Sequence, residues 1–425
     1  MKEKGVLDVA VVGGGPAGIS ACLEIVKWSS SLRIMLFEYE EALGGIPRSC
    51  HSLFGFHDRG RLYTGPGYAS ALDRLVRKSP ISIQTASKVT SLNPGCAGQP
   101  HTIQVLSGSG FRTYLARSIL IATGCFESSR AFRNIGGTRP SGILTTGELQ
   151  QIVGSGRPVG RRAVVVGTEH IAFSSVLTLR RSGLQIKAMI ENDDSLQTYS
   201  VVGNSLSRYG RFPIYLGSSV DAILGEKRVE GVVLRGIKDS TRLTILCDTV
   251  VITGKFQPYS GLLNGTGIEI DSATLGPAVN MEYETSVRNV FAAGNVLRGA
   301  DMHGFCALEG KNAAKGILSR LERDMTPRGD EIRISAEPPI RYVVPQRLLL
   351  TRVKRDPFYW VKPGCCFQME RTMLSPTVEA WSGTNRVWKR SYGKLIANQR
   401  VALPLHRFDW QGVKEKLGIT ISISK

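Results

Sequence analysis

The residues best placed for chemistry stand near the start of the chain. Gly13-Gly14-Gly15-Pro16-Ala17-Gly18 follows an apolar run at 9–12 and opens a helical stretch at 16–28. Glu38 closes the next apolar run, 20 residues beyond Gly18. This is G-x-G-x-x-G in its strand–turn–helix context. Gly13 makes the tight turn, Gly15 lets the backbone approach a pyrophosphate, and Gly18 allows the helix to press on the strand. The pyrophosphate would sit on the helix N-terminus and Glu38 would accept from a ribose hydroxyl. The plainer alternative is a glycine-rich turn in another α/β fold. Three further places draw notice. Cys50 and His51 adjoin, a pairing that can activate a thiol. Asp301 and His303 precede a helix at about 305–321 and are candidates to handle a proton, the alternative being a solvent-facing loop. Gly294-Asn295 follows the strand-like run 289–293 and brings a polar side chain to a strand end.

The elements around these residues repeat. The first unit reads strand 9–12, helix 16–28, strand 33–38, then 81–84, 88–91 and 102–106 as short antiparallel pieces. It closes with strand 118–122 and Thr123-Gly124. A second β-α-β follows: strand 162–166, helix 170–181 and strand 185–190. After runs at 229–234 and 243–246 it closes with strand 249–252 and Thr253-Gly254. Its turn, GTEHIA (167–172), keeps the first glycine but carries Glu169 where the middle one belongs. A carboxylate there takes the space, and opposes the charge, of a pyrophosphate. Glu191 still ends the next strand, where a ribose-binding acid belongs. NAD(P) binding is therefore not expected, and the unit reads as a domain kept for packing or subunit contact. A Pro/Gly-containing linker at 324–339 precedes β-rich runs at 341–353 and 377–388, in a region with four of the five tryptophans (Trp360, Trp381, Trp388, Trp410).

The expected fold class is thus α/β, with two Rossmann-like dinucleotide-binding domains and a small β-rich C-terminal domain. The first occupies 1–125 and 282–325. The second, a degenerate NAD-type domain, is inserted at 126–281. The basic β-rich domain spans 331–425.

Composition removes other classes. The chain has 425 residues, 42% hydrophobic and 21% charged, which excludes disorder or collagen as its main architecture. An apolar run of about 18 residues is absent, as expected for a protein that does not span a membrane. The start enters a strand pattern at once, so a cytoplasmic location is expected. Eight scattered cysteines show no C-x-x-C, so a disulfide framework, a zinc site or a bound iron–sulfur cluster is not expected. Adjacent Cys365-Cys366 read as packed thiols, with a redox pair as the alternative. The net charge is +19. Residues 331–425 carry 17 Lys+Arg against 7 Asp+Glu, so over half of the surplus lies in under a quarter of the length. Without a nucleic-acid motif, this reads as a docking surface for an acidic partner or an anionic membrane face.

In this order, G-x-G-x-x-G, the two Thr-Gly closures and VFAAGN resemble FAD/NAD-linked flavoproteins of the pyridine-nucleotide-disulfide oxidoreductase type. The likeness covers about residues 6–325. GGIPRSCHSLFGF (44–56), LYTGPGYA (62–69) and GILTTGELQ (142–150) are similar to accessory FAD subunits of multi-subunit dehydrogenases. Relatives of those subunits include opine oxidase, hydrogen cyanide synthase, and proline, hydroxyproline and glycerol-3-phosphate dehydrogenases.

The resemblance implies an FAD-dependent oxidoreductase. Gly13, Gly15, Pro16, Ala17, Gly18 and Glu38 would hold the FAD adenosine and pyrophosphate, and Gly45 and Arg48 would line the isoalloxazine–ribityl region. Val89 would meet adenine through its backbone, Thr123 and Gly124 would flank the pyrophosphate, and Gly294 and Asn295 would hold the ribityl phosphate end. Gly304 would open the helix that aims at a flavin carbonyl. Cys50, His51 and His303 are the catalytic candidates. Two departures stand out. The family pattern has Gly-Asp where Asn295 stands, and the dithiol of the disulfide reductases has no second member beside Cys50.

The implied role is an electron-transferring subunit of a heteromeric dehydrogenase acting on an amine, imino acid or polyol. Its expected partners are another dehydrogenase flavoprotein subunit and a small iron–sulfur subunit carrying any [2Fe-2S] centre, with peripheral contact to the inner membrane face. The alternatives are a stand-alone NAD(P)H-dependent flavin reductase and a non-catalytic FAD-binding scaffold.

Overall fold

The computed structural model describes residues 5–96, 98–198, 203–204, 207–208, 210–322, 331–350, 364–413 and 418–424. Residues 324–330 of the expected linker, 351–353 of the expected strand, and Trp360 lie outside them. The chain divides into two compact units. One comprises Met1–Arg48, Leu53–Phe126 and Gln257–Lys425, the other Ser49–Ser52 and Glu127–Phe256.

In the first unit, β1 (Val6–Val12) lies between β2 (Ile34–Phe37) and the C-terminal half of β6 (Gly110–Ile121), parallel to both. Burial on both faces explains why β1 is an almost unbroken apolar run. Its Val9 and Val11 are fully buried, each worth roughly 1.5–3 kcal/mol. Helix α1 (Pro16–Trp28) and the amphipathic α3 (Gly65–Arg77) return the chain to this sheet, α3 after the single-turn α2 (Phe56–Arg59). β3 (Ser82–Gln84) follows α3 and pairs parallel with β2. That corrects the antiparallel expectation: a strand reached through a crossover helix joins parallel. β4 (Lys88–Asn93) and β5 (His101–Ser107) are antiparallel, as is the first half of β6 against β5.

The second unit has a parallel sheet ordered β7-β14-β8-β9-β10: β7 (Ile143–Thr145), β8 (Arg162–Val166), β9 (Gln185–Ile190), β10 (Ile214–Tyr215) and β14 (Thr249–Ile252). Helices α4 (Thr146–Gly154, opened by a Thr145/Glu148 capping box) and α5 (His170–Arg181) belong to it. An antiparallel layer adds β11 (Ser218–Leu224), β12 (Gly231–Gly236) and β13 (Arg242–Leu246). This unit ends at Phe256 rather than near 281. Residues 257–281 are stapled to the first unit instead: Tyr259 N–H donates to Gly124 O, and Met281 is buried in the C-terminal core.

The first unit resumes with β15 (Val290–Ala292), parallel to β6, and the 20-residue α6 (His303–Glu322). A β-rich region then pairs Met373–Leu374 with Lys394–Leu395 and forms two larger sheets. One is ordered β18-β16-β23-β20-β21, from β16 (Glu331–Ala336), β18 (Arg347–Leu349), β20 (Thr377–Ser382), β21 (Asn385–Ser391) and β23 (Ile419–Ser424). The other joins β17 (Ile340–Val344), β19 (Cys366–Met369) and β22 (Arg400–Ala402). Leu348, Phe367, Val378, Trp388 and Trp410 share their core. Among the described residues no helix is long and apolar enough to cross a membrane.

Candidate functional site

The turn after β1 is shaped by glycines. Gly13 has φ +110°, and a Cβ on it would lie 2.3 Å from Ala122 O. A Cβ on Gly18 would lie 2.0 Å from Gly13 O, so α1 rests directly on the turn. Gly15 is the N-cap of α1 and supplies no side-chain cap; the space where its Cβ would point is open to 4 Å. Pro16 at the first helical position has no N–H to leave unpaired. The positive end of α1 therefore lies beside an open Cβ side of Gly15, an arrangement suited to an anion. Glu38 is fixed beside it, accepting from Gly14 N–H at 2.6 Å and Glu40 N–H at 2.8 Å. Two such bonds leave lone pairs on the carboxylate for a ribose hydroxyl.

The other predicted residues close around this turn. Gly44 (φ +113°) and Gly45 (φ +60°) let the 44–45 backbone come in, and a Cβ on Gly45 would be 3.1 Å from Gly15 Cα. Arg48 sits on a 3₁₀ turn, exposed, and donates to Ala42 O at 3.0 Å. Val89 is buried on β4, next to a register shift. Thr123 donates its hydroxyl to Tyr259 O at 2.8 Å, and Gly124 is left-handed. Gly294 (φ +82°) leans on α1, where its Cβ would be 2.8 Å from Ala17 Cβ. Its N–H donates to Glu309 Oε2 at 3.1 Å. Asn295 Oδ1 accepts from Asp301 N–H (2.9 Å) and the Cys306 thiol (3.0 Å), which fixes the amide orientation and leaves Nδ2 as the donor toward a ligand.

The start of α6 carries an aromatic and histidine cluster that sequence reasoning named only through His303 and Gly304. His303 Nε2 accepts from Gly55 N–H at 2.7 Å, so its proton is on Nδ1. Burial, with nearby His57, pushes its pKa down to about 4. A ring already engaged and so weakly basic is a poor general base at neutral pH, and its bond to Gly55 ties it to the 54–57 segment. Phe54 packs on His303 at 4.2 Å and His57 stacks on Phe305 at 4.8 Å. A Cβ on Gly304 would be 2.7 Å from His57 Cβ. Tyr68 donates to Asp58 Oδ2 at 2.7 Å, and burial raises the pKa of both groups. The only sequence signal for Tyr68 was its place in LYTGPGYA. Asp301, the other candidate, is ion-paired. Burial raises its carboxyl, but Arg298 and Arg400 outweigh that and hold it at about 2, so it stays charged.

The profile of the pyridine nucleotide-disulphide oxidoreductase family matches residues 7–312. The chain belongs to this family. It is 26% identical over 299 residues to the thioredoxin reductase of Treponema pallidum (strain Nichols), covering 68% of this chain and 88% of that one. It is 26% identical over 342 residues to the mitochondrial dihydrolipoyl dehydrogenase of Caenorhabditis elegans, covering 71% and 67%. Among solved structures, T. acidophilum thioredoxin reductase aligns with TM-score 0.64 at 20% identity, over 75% of this chain and all of that one. L-proline dehydrogenase from P. horikoshii aligns with TM-score 0.55 at 20% identity, over 76% and 57%; at such identity these two share the fold. The family binds FAD, and the protein is a flavin-type oxidoreductase. Its open Gly15 cradle and anchored Glu38 fit a dinucleotide.

The second unit of this oxidoreductase has the same turn, filled. Gly167 has φ +122°; a Cβ on it would be 2.7 Å from Glu169 Oε2, and one on Gly254 would be 2.4 Å from Glu169 Oε1. The Glu169 carboxylate thus lies against both glycine turns, in the place the first unit leaves open. Arg133 donates to Thr253 O between them and is attracted by Glu169. Glu191 accepts from Thr168 Oγ1 at 2.6 Å and Asp193 N–H at 3.1 Å, much as Glu38 holds Gly14 and Glu40. Burial pushes the carboxyl of neighbouring Glu127 up to about 7.

Cys50 and His51 also belong to this unit. Cys50 Sγ is 3.5 Å from Ser174 Oγ, and Gln150 Nε2 approaches it at 3.8 Å. His51 Nδ1 bonds Thr178 Oγ1 at 3.0 Å. They bond to different turns of α5 and not to each other.

Proposed function

We propose that this chain is the FAD-bearing subunit of a heteromeric dehydrogenase that oxidises an amine, imino acid or polyol and passes electrons to a partner subunit. The observation that carries this reading is the contrast of an open dinucleotide cradle at Gly15 with an equivalent turn filled by Glu169. A chain that keeps the flavin site and blocks the nicotinamide one needs its electrons from another donor.

Bound FAD supplies a two-electron acceptor. Around it, Gly13, Gly15, Pro16, Ala17 and Gly18 would hold the pyrophosphate on the α1 N-terminus, and Glu38 would orient the ribose. Thr123, Gly124, Gly294 and Asn295 would flank the chain between pyrophosphate and ring, with Val89, Gly45 and Arg48 at the two ends. Phe54, Phe305 and Tyr68 would keep water from the start of α6, where Tyr68 holds its proton on Asp58. The partner would dock on the basic C-terminal region. There Arg347 and Arg400 are buried and ion-paired, and the exposed cations on β21, the end strand of its sheet, are Arg386 and Lys389, which share Glu379, and Arg390. An edge strand lined with cations is protected against self-pairing and suited to an acidic partner.

Purification of the chain tests this. The expected result is a yellow protein with stoichiometric FAD and no NAD(P)H oxidation, gaining donor oxidation on co-expression with its partner in a salt-sensitive complex. Rapid NADH turnover by the isolated chain would instead establish the stand-alone reductase. That second reading has support in the retained Gly167, Thr253-Gly254 and Glu191 and in the reductase relatives.

A further inference from the structure

Behind the Gly294–Asn295 turn lies a buried ion quartet. The Arg298 guanidinium bonds Asp301 (2.7 Å) and Glu309, and Arg400 bonds Asp301 (2.8 Å) and Glu309 (3.1 Å). No side chain of the four is more than 10% exposed. Three of them come from the loop before α6 and from α6 itself. Arg400 comes from β22 of the C-terminal region, 99 positions from Asp301. Its guanidinium also lies over the Phe305 ring at 4.7 Å and donates to Gly364 O at 3.2 Å.

The two acids are the ones that hold the turn. Glu309 Oε2 accepts from Gly294 N–H, and the Asp301 N–H donates to Asn295 Oδ1. Two cations against two anions leave the quartet neutral. Without Arg400 a buried carboxylate would lack its counter-charge, and such a group moves, takes up a proton or draws in water. Each response shifts the turn.

We propose that Arg400 is a positioning residue of the flavin site, so that the C-terminal β region completes the FAD cradle from behind. This rests on the reading of Gly294–Asn295 as part of an FAD site. Removing Arg400 should weaken FAD binding about tenfold, and the uncompensated negative charge should move the flavin midpoint potential to more negative values.

The experiment uses the full chain, stripped of flavin and titrated with FAD. Arg400→Met should show the weaker binding and the shifted potential. Arg400→Lys, which keeps the charge but not the fork, should recover part of both. Arg400→Gln with Glu309→Gln, which restores neutrality, should bind FAD more tightly than Arg400→Gln alone, and this rescue decides the matter if Arg400→Met does not fold. Val378→Ala, in the fully buried core of the C-terminal region, should lower the melting temperature while leaving FAD affinity within twofold. Unchanged affinity and potential in the Arg400 variants, or an equal loss in Val378→Ala, would overturn the inference and leave the FAD site standing. A wild-type chain that takes up no FAD would overturn the cofactor reading and the inference with it.

Discussion

The two nucleotide-type turns of this protein share one backbone plan and differ in one side chain that matters. Each has a parallel strand, a left-handed first glycine, a helix, and an acid at the end of the next strand that holds the N–H two residues on: Glu38 with Glu40, Glu191 with Asp193. Each is closed by a Thr-Gly. Gly15 leaves the space ahead of α1 open, whereas Glu169 folds its carboxylate over Gly167 and Gly254. A fold can therefore keep the architecture of a dinucleotide domain while one side chain fills its turn. The architecture depends on the buried strands, and the site depends on one empty volume.

The strongest way to break this comparison is to make the first turn like the second. Gly15 has φ −83°, and among the described residues no atom beyond its chain neighbours and its own helix backbone lies within 4 Å of its Cβ position, so Gly15→Glu should fold with little change in melting temperature. FAD affinity should fall at least about a hundredfold, because a carboxylate would meet the diphosphate at the helix start. The flavin-to-protein ratio after gel filtration reads this directly, and a stoichiometric yellow variant would refute the cradle assignment.

The converse change should do less. Glu169→Gly opens the second turn and leaves Arg133 facing an incoming diphosphate. NADH or ADP-ribose binding with a Kd on the order of 1 mM should appear in calorimetric titration, where the wild type shows none. The stability cost should be about 1 kcal/mol, since Glu169 Oε1 makes no hydrogen bond among the described residues. Wild-type binding as tight as that of the variant would show that Glu169 does not block the turn.

Protonation separates the units next. Glu127 is raised to about 7, so between its ordinary 4.5 and 7 the folded second unit binds a proton that the unfolded chain has released. Its stabilising contribution is present below pH 4.5 and lost as pH rises through 7, on the order of 3 kcal/mol. Asp301, held at about 2, works oppositely in the first unit: its contribution is present above about pH 4 and lost as pH falls toward 2. Glu127→Gln should flatten the change in amide-exchange protection of β8 and β14 from pH 5 to 7 and leave β1 and β6 unaltered. An unchanged pH profile would remove Glu127 as its source.

Much of this was legible in the sequence where the backbone itself is constrained. Buried parallel strands read as apolar runs, so β8, β9, β14, α1 and α5 fall where expected, residue for residue. Gly13 and Gly18 were readable because a Cβ there collides with main chain. The Arg298–Asp301–Glu309–Arg400 quartet was not readable: polar contacts between residues 91 and 99 positions apart leave no periodicity. Nor was the pairing of Asp58 with Tyr68, since neither belongs to a repeating pattern.

Cys50 carries the same lesson, and its test has the smallest expected effect. It follows Gly44-Gly45 in sequence, and the 49–52 segment belongs to the second unit. There the thiol is buried at 3% exposure among Ser174 and Gln150, polar neighbours that a hydroxyl can satisfy as well as a thiol. Cys50→Ser should therefore cost less than about 1 kcal/mol and leave FAD content and donor oxidation within twofold of wild type. A catalytic thiol would behave differently, because serine is a far weaker nucleophile and has no redox chemistry. A loss of activity beyond a hundredfold, with FAD retained, would assign Cys50 a part in the reaction.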